Sequence, residues 1–417
     1  MPHINFSFDL IGFISLFIVS GLFIFIAICK PKIGLILIVA LIARLITIFI
    51  SENVFALPDS WGDAGAFEKT AIEWSKDGFL NVFGHYPIGN GFDSFLISWV
   101  IAFPYSIFGP SKLMGQSISL LFGMWSVFLG WKTANKLWNQ KVAIKAGWFF
   151  ALFPTLVLYS CFILREAYIV FLLLLAINGI IDYFRERSLK SFILILIGFI
   201  GATLFHEAMI VGLIIFLVII GFQKIQNILI KLTKFKINLS SIVFVLLICF
   251  ASNQLIFSKE SGVRNAKIGS FGNINEKLDL IIDRARGYHE GSARYPDWLV
   301  PNNRAEVIYK SPIRILYFLF APFPWDIKKP IHYLGFLDSI IYAFVVYLIV
   351  RNINVIWTDQ VLKIIFLISL TYIVVFGIGI GNFGTGIRHR SKFIMMLVLM
   401  VTPFLPKFTL NLKTKFK

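Results

Sequence analysis

The chain has 417 residues, of which 58% are hydrophobic and only 15% are charged, and its formal net charge is +17. This balance excludes a soluble globular domain and predicts an all-α, polytopic membrane helix bundle that forms one membrane domain over residues 1–417. Windows long enough to cross a bilayer predict about eleven transmembrane helices, together with juxtamembrane helices. In chain order, the predicted spans are 10–29, 33–50, 113–131, 146–164, 167–183, 191–205, 208–222, 239–256, 332–350, 361–380 and 392–406.

Two further apolar stretches, 93–109 and 312–325, contain prolines that interrupt a regular helix. They are predicted to lie at the membrane interface or to re-enter the membrane. The lysine-rich segment 132–145 supports this interpretation for 93–109, because a full span there would move those lysines to the outer face. The three cysteines lie in apolar stretches, so the sequence predicts neither a disulfide framework nor a metal-binding knuckle.

Basic residues orient the predicted bundle, since the cytoplasmic loops of membrane proteins collect Lys and Arg. With the basic C-terminal tail inside, the cytoplasmic segments account for nearly all of the net charge of +17. Topology therefore explains the charge, and no nucleic-acid partner is expected. The same orientation puts residues 51–92, the long loop 257–311 and the loop 381–391 on the outer face. We expect an integral protein of a bacterial cytoplasmic membrane with its functional site on that face.

The first outer loop, 51–92, is rich in acidic residues. Residues 64–77 follow a helical apolar pattern and predict a short amphipathic helix on the membrane surface. Asp63 begins this helix, and Asp59 lies one helical turn before it. Asp63 is predicted to be a catalytic carboxylate or a helix cap, the latter alone or in a box with Ser60. The two aspartates could hold a divalent metal, but two carboxylates without a third ligand do not imply one, so no cofactor is expected.

Two charged couples, Arg165-Glu166 and His206-Glu207, fall at predicted outer ends of helical hairpins. Charged side chains at the edge of a membrane domain are costly unless they are paired or line a watery cavity. The couples are therefore candidate functional residues. The alternative is that each couple only marks a tight outer turn, as a neighbouring ion pair or a satisfied histidine.

The sequence GNFGTGIRHRSK at 381–392 adds positive charge on the face where topology disfavours it. Arginine binds phosphate through a planar set of donors, and glycines let backbone amides approach an anion closely. Arg388 and Arg390 are therefore predicted to bind phosphate. The alternative is that the segment is an ordinary cytoplasmic loop.

The first outer loop contains the run GDAGAFEKTAIEWSKDG, and the segments WKTANKLWNQ and GWFFALFPTLVLYS follow further along the chain. Together they resemble the N-terminal half of GT-C superfamily membrane glycosyltransferases that use polyprenyl-phosphate sugars, such as protein-mannosyl and lipid A aminoarabinose transferases. The resemblance covers about residues 55–220. The C-terminal half, with SPIRILYFLFAPFPWDI and GTGIRHR, is similar to bacterial surface-polysaccharide membrane proteins, including polymerases. In that resemblance, the acidic element of the family's first loop corresponds to Asp63, Phe67 and Ala71, and the later Tyr-Pro element and Phe-Gly turn correspond to Tyr86-Pro87 and Phe108-Gly109.

The resemblance implies an inverting glycosyltransferase that moves a sugar from a polyprenyl-phosphate or polyprenyl-diphosphate donor to a glycan or lipid acceptor. Asp63 would act as general base on the acceptor hydroxyl. Basic residues, with Lys112 as a further candidate, would stabilise the phosphate leaving group. The aromatic sequence YPDW at 295–298 is suited to stacking on sugar rings. The candidate substrate-binding residues are Asp59, Tyr86, Arg165, Glu166, His206, Glu207, Arg388 and Arg390.

Two other functions fit the same sequence. A repeat-unit polymerase for O-antigen or capsule would take a lipid-diphosphate oligosaccharide as its donor. A lipid-linked glycan flippase or transporter is favoured less, because transporters commonly have internal repeats and charges near the middle of their spans. Here the notable charges fall at the ends of spans, and Arg44 is the main exception.

Overall fold

The computed structural model is all-α over the part of the chain that it describes. The only β interaction among the described residues is an isolated antiparallel bridge between Arg294 and Asn382. The predicted span 239–256 and the larger part of the predicted loop 257–311 lie outside the described residues. The structure describes residues 9–87, 93–232, 292–330 and 332–406, with a few residues between 278 and 285.

The N-terminal half contains the helices that carry the acidic outer loop and both charged couples. The helix predicted at 64–77 is confirmed, because a helix begins at Asp63 and ends at Ser75, shortly before Gly78 with a φ of 86°. Its position on the membrane surface stays a prediction. The helices are α1 (Leu10–Cys29), α2 (Pro31–Asn53), α3 (Asp63–Ser75), α4 (Phe79–Val82), α5 (Leu96–Phe108), α6 (Lys112–Leu137), α7 (Gln140–Leu152), α8 (Pro154–Tyr159), α9 (Glu166–Glu186), α10 (Leu189–Phe205) and α11 (Ile210–Leu232).

The C-terminal half corrects two sequence interpretations. The segment 312–325 is not a separate element, because most of it continues a helix that begins at Arg304 and accommodates Pro312; its location at the interface or as a re-entrant segment stays a prediction. The segment 381–391 is not a loop, because Asn382 caps a helix there by accepting a hydrogen bond from the Thr385 amide. The helices are α12 (Arg304–Phe320), α13 (His332–Arg351), α14 (Ile353–Thr358), α15 (Gln360–Gly379), α16 (Phe383–Ser391) and α17 (Ile394–Val401).

Six of the described helices are long and apolar enough to cross a membrane: α1, α2, α6, α9, α13 and α15. Shorter apolar helices accompany them, including α5, α10 and α17. This supports an integral membrane protein with several spans. The larger number of spans that the sequence predicts stays a prediction.

Helix α9 separates two charged ends of the bundle. Its 21 residues correspond to a length of about 30 Å, the thickness of a bilayer core. Glu166 lies at its first residue, whereas Asp182 in its last turns pairs with Lys136 of α6 at 2.7 Å. Lys136, which the sequence assigns to the cytoplasmic side, therefore lies at the end of α9 opposite Glu166.

Helices α9 and α10 form a tight hairpin through small residues. A Cβ atom added at Gly198 would lie 2.6 Å from the carbonyl oxygen of Leu172, so only glycine permits this approach. Such close helix contacts are the usual means of association between membrane helices. The hairpin consequently fixes Arg165 and His206, which lie just outside the paired ends of α9 and α10.

The predicted span 146–164 is broken into α7 and α8 at Phe153-Pro154. Proline cannot donate the next helical hydrogen bond, so the break frees carbonyl groups within the bundle. Arg44 of α2 is buried at this point and donates to the Ala151 carbonyl at 3.1 Å and to the Ser160 hydroxyl at 2.9 Å. Arg44, the charged residue within a predicted span, therefore donates hydrogen bonds to polar groups on both sides of the helix break.

The end of the long loop is fastened to the start of α16. The Tyr295 amide donates to the Gly381 carbonyl at 3.1 Å, and the Phe383 amide donates to the Ala293 carbonyl at 2.8 Å. These bonds hold the aromatic sequence at 295–298 beside the helix that carries Arg388.

Candidate functional site

Asp63 lies at the first residue of α3 and does not cap this helix with its side chain. The N-cap is Gly62 and makes no side-chain capping bond, while Ser60 donates its hydroxyl to the Leu57 carbonyl at 2.7 Å. The predicted capping box is therefore absent. The side chain of Asp63 is 57% exposed and forms an ion pair with Arg388. The structure thus leaves this carboxylate open to a ligand.

Arg388 connects two carboxylates from distant parts of the sequence. Its Nη1 atom contacts Asp63, and its Nε atom donates to Oε1 of Glu166 at 2.9 Å. The Glu166 side chain is only 1% exposed, and its Oε2 atom has no hydrogen-bond partner among the described residues. The structure brings together three predicted site residues: an exposed acid, a buried acid and the arginine between them.

Sequence reasoning missed two residues that extend this cluster, Lys392 and His389. The buried Lys392 Nζ atom lies 3.5 Å from Oε1 of Glu166 and 2.7 Å from Nδ1 of His389. The rings of His389 and His206 meet edge to face at a centroid distance of 5.1 Å. The helical spacing of Arg388 and Lys392, four residues apart, could have indicated a shared face.

Arg165 lies beside the cluster and joins three helices. Its Nη1 atom donates to the Phe205 carbonyl at the end of α10, at 3.2 Å, and its guanidinium lies 5.5 Å from the centroid of the Phe67 ring in α3. The Nε atom is buried without a hydrogen-bond partner in the described part of the chain. This arginine is therefore a second cation at the same end of the bundle.

Arg390 lies in a different environment from Arg388. On a helix, residues two positions apart point about 200° away from each other, so the two arginines cannot reach the same phosphate. The Arg390 side chain is 0% exposed and pairs at 2.8 Å with Asp338, which is also 0% exposed. The remaining donors of its guanidinium contact the carbonyls of Phe318, Leu319 and Ala321 and the hydroxyl of Ser339.

This arrangement uses every donor of the Arg390 guanidinium inside the protein, in contrast to the predicted role in phosphate binding. The geometry gives Arg390 a structural role, which anchors α16 to α12 and α13. A lone acid such as Asp338 in an apolar helix is a signal that sequence reasoning could have used.

Asp59 precedes α3 in a left-handed backbone conformation with a φ of 62°. Burial raises the pKa of its carboxyl above the ordinary value, while Arg388 and the Tyr159 hydroxyl act in the opposite direction. A carboxyl held in this way retains its proton more readily than an exposed aspartate. Asp59 therefore lies in a different environment from Asp63, whose side chain is 57% exposed, although the two residues are close in sequence.

The other predicted site residues lie outside the cluster. Tyr86 packs its ring against Trp99 of α5 at 5.2 Å, and Glu207 is exposed in the short turn that follows α10. The hydrogen bonds of Arg388 described above go instead to Glu166 and Asp63. Lys112 forms an ion pair with Glu52 at 2.8 Å. Glu52 does not belong to the cluster around Arg388.

A cavity of about 830 Å³ opens between α2, α8, α13 and α16. Its wall is largely apolar, with Ile46, Leu158 and Ile387 among its residues, and Asp59 and His332 supply polar groups. Ligand sites of about 300–1,000 Å³ are typical for small molecules and cofactors. The cavity therefore provides a large apolar space that reaches the acidic segment before α3.

Comparisons with known protein families, with curated proteins and with solved structures find no match for this chain. Among the described residues, no group of three or more His, Cys, Asp and Glu side chains is placed to hold a metal ion.

Proposed function

We propose that the protein is an integral membrane glycosyltransferase that moves a sugar from a polyprenyl-phosphate or polyprenyl-diphosphate donor to a glycan or lipid acceptor. One observation carries the proposal: the large apolar cavity reaches Asp59, next to the carboxylates paired with Arg388. A lipid-linked sugar phosphate needs both environments side by side. The apolar cavity fits its isoprenoid chain, and the charged cluster fits its phosphate and sugar.

Arg388 is the proposed phosphate-binding residue. Its contacts with Asp63 and Glu166 use Nε and Nη1, and a guanidinium has five N–H donors in total. A bound phosphate competes with the exposed Asp63 for the guanidinium, whereas the buried Glu166 keeps the guanidinium in place. Binding of the donor thus releases Asp63 from its ion pair at the moment when a base is required.

The proposed reaction is a single displacement with Asp63 as general base. The acceptor oxygen forms a bond to the anomeric carbon while its proton passes to Asp63. The bond between that carbon and the phosphate oxygen breaks, and its electron pair stays on the polyprenyl phosphate. Arg388 stabilises this negative charge, with Arg165 as a further cation nearby. Attack on the face opposite the leaving group inverts the anomeric configuration.

Deletion of the gene in its host, followed by mass spectrometry of the lipid-linked glycans, tests the proposal. We expect the deletion strain to accumulate the donor and an acceptor that lacks a single sugar. The parent gene should restore the glycan, and so should Glu73→Gln, which changes an exposed acid on the same helix. Asp63→Asn should be produced at the parent level and fail to restore it.

Two results would contradict the proposal. Accumulation of complete but unpolymerised repeat units would indicate a polysaccharide polymerase instead of a transferase. A normal surface glycan in the Asp63→Asn strain would remove Asp63 from the mechanism.

A further inference from the structure

A second cleft, of about 600 Å³, lies beside the apolar cavity. It is built from the end of the long loop and the segment after α12, and it includes Tyr295, Trp298, Tyr317 and Trp325. Ser292 lines both this cleft and the apolar cavity, so the two spaces adjoin. The function proposed above assigns no ligand to the second cleft.

The aromatic side chains form a continuous wall. Trp298 meets Tyr317 edge to face at a centroid distance of 6.1 Å, and Tyr317 meets Phe323 in the same way at 5.1 Å. Trp325 stacks on Phe323 at 4.9 Å, with ring planes that differ by only 9°. Tyr317 is buried at the base of this wall, whereas Trp298 and Trp325 are 57% and 69% exposed.

This exposure leaves indole surface available to a ligand. Phe323 covers one face of Trp325, so much of the exposed area of Trp325 belongs to its other face. Sugar rings have apolar C–H faces and polar edges, and they pack well against aromatic rings that have polar neighbours. Both tryptophans therefore present surfaces of the kind that pyranose rings contact.

Charged side chains of both signs line the same cleft: Arg294, Asp297, Asp326 and Lys328. Arg294 and Asp297 pair at 3.0 Å, and Asp326 accepts a hydrogen bond from the Phe323 amide at 2.9 Å. Such groups offer both hydrogen-bond donors and acceptors to sugar hydroxyls. A lipid acyl chain would instead meet an unfavourable set of charges here.

The cleft is also held in shape before a ligand arrives. The loop that carries Tyr295 and Trp298 is bonded to Gly381 and Phe383 at the start of α16. The short turn at Trp325 is closed by the bond between Asp326 and Phe323. A site that needs little ordering on binding loses less affinity to conformational entropy.

We propose that this cleft binds the oligosaccharide portion of the acceptor, stacked on Trp298 and Trp325. The assignment of this oligosaccharide as the acceptor rests on the proposed transferase function. Its position beside the apolar cavity places the oligosaccharide next to the cavity proposed for the lipid chain of the donor. The carbohydrate-binding property itself rests only on the aromatic wall and its charged neighbours.

The test measures binding of oligosaccharides by the full-length protein in lipid nanodiscs. The probes are oligosaccharides released from the host surface glycan by partial acid hydrolysis, labelled with a fluorophore and followed by fluorescence anisotropy. We expect saturable binding by the parent and an increase in Kd of about tenfold or more for Trp298→Leu and Trp325→Leu. Trp325→Phe should retain most of the affinity, because it preserves an aromatic face.

Trp357→Leu is the matched control, since Trp357 is 48% exposed and lies outside this cleft in α14. It should bind like the parent. Absence of saturable binding, or an unchanged Kd in both cleft variants, would overturn the proposal. An equal loss in Trp357→Leu would also overturn it, because the tryptophans would then act as general anchors at the membrane interface.

Comparing this binding assay with the cellular glycan of the Asp63→Asn strain separates the two proposals. If the protein binds the oligosaccharides but Asp63→Asn leaves the cellular glycan unchanged, the cleft is a carbohydrate-binding site and the proposed transfer mechanism is wrong. If transfer requires Asp63 but the cleft variants bind the oligosaccharides like the parent, only the proposed acceptor-binding role of the cleft is rejected.

Discussion

Replacing Arg390 by methionine should strongly destabilise the protein although Arg390 is only two residues from Arg388. The Arg390 and Asp338 side chains are both 0% exposed, and the pair is closed at 2.8 Å. Removing one partner of a buried ion pair costs about 3–5 kcal/mol, because the other charge stays buried without compensation. We expect the free energy of unfolding of Arg390→Met to fall by about this amount.

Equilibrium unfolding of the purified full-length protein in mixed micelles, followed by circular dichroism, measures this change. Asp63→Asn is the control, because its ion pair with Arg388 is 57% exposed on the Asp63 side and such pairs contribute about 0–1 kcal/mol. The double variant Arg390→Met/Asp338→Leu should recover much of the loss, since no buried charge is left unpaired. A fall of less than about 1 kcal/mol in Arg390→Met would refute the structural role of the pair.

Two further substitutions test the apolar cavity and the burial of Glu68 in α3. Ile46→Trp, in the wall of the cavity, should raise the KM for the lipid-linked donor several-fold in a transfer assay with purified protein. The control variant Ile24→Trp, on α1, should leave this KM unchanged. Equal KM values for the two variants would argue against the cavity as the lipid site. Burial of Glu68 raises the pKa of its carboxyl to about 7, so the folded state binds the proton more tightly than the unfolded state. Thermal stability should therefore fall as pH rises from about 4.5 towards 7, and Glu68→Gln should abolish this part of the pH dependence; identical Tm profiles of parent and variant between pH 5 and pH 8 would contradict it.

Charge and hydropathy are sufficient to predict a helical membrane protein and to predict which residues lie together at one end of its helix bundle. The positive-inside rule assigned Asp63, Glu166 and Arg388 to the same face, although they are far apart in sequence. In the structure these three side chains form one cluster. The boundaries of α1 and α3 were also predictable, because a long apolar run and an amphipathic pattern mark them clearly.

The different roles of Arg388 and Arg390 could not be separated without the structure. A loop at 381–391 would leave both arginines available to phosphate. The helix turns them apart, and the partner that engages Arg390, Asp338, comes from a span 52 residues earlier. The apolar cavity was equally inaccessible to sequence reasoning, because its wall is assembled from helices α2, α8, α13 and α16.

The most direct measurement of the central claim is sugar transfer by the purified protein from lipids extracted from the deletion strain. Release of polyprenyl phosphate and elongation of the acceptor are followed together by mass spectrometry. We expect the parent and Glu73→Gln to release the lipid phosphate as the acceptor gains one sugar, and Asp63→Asn to do neither. Release and transfer by Asp63→Asn at the parent rate would contradict the account.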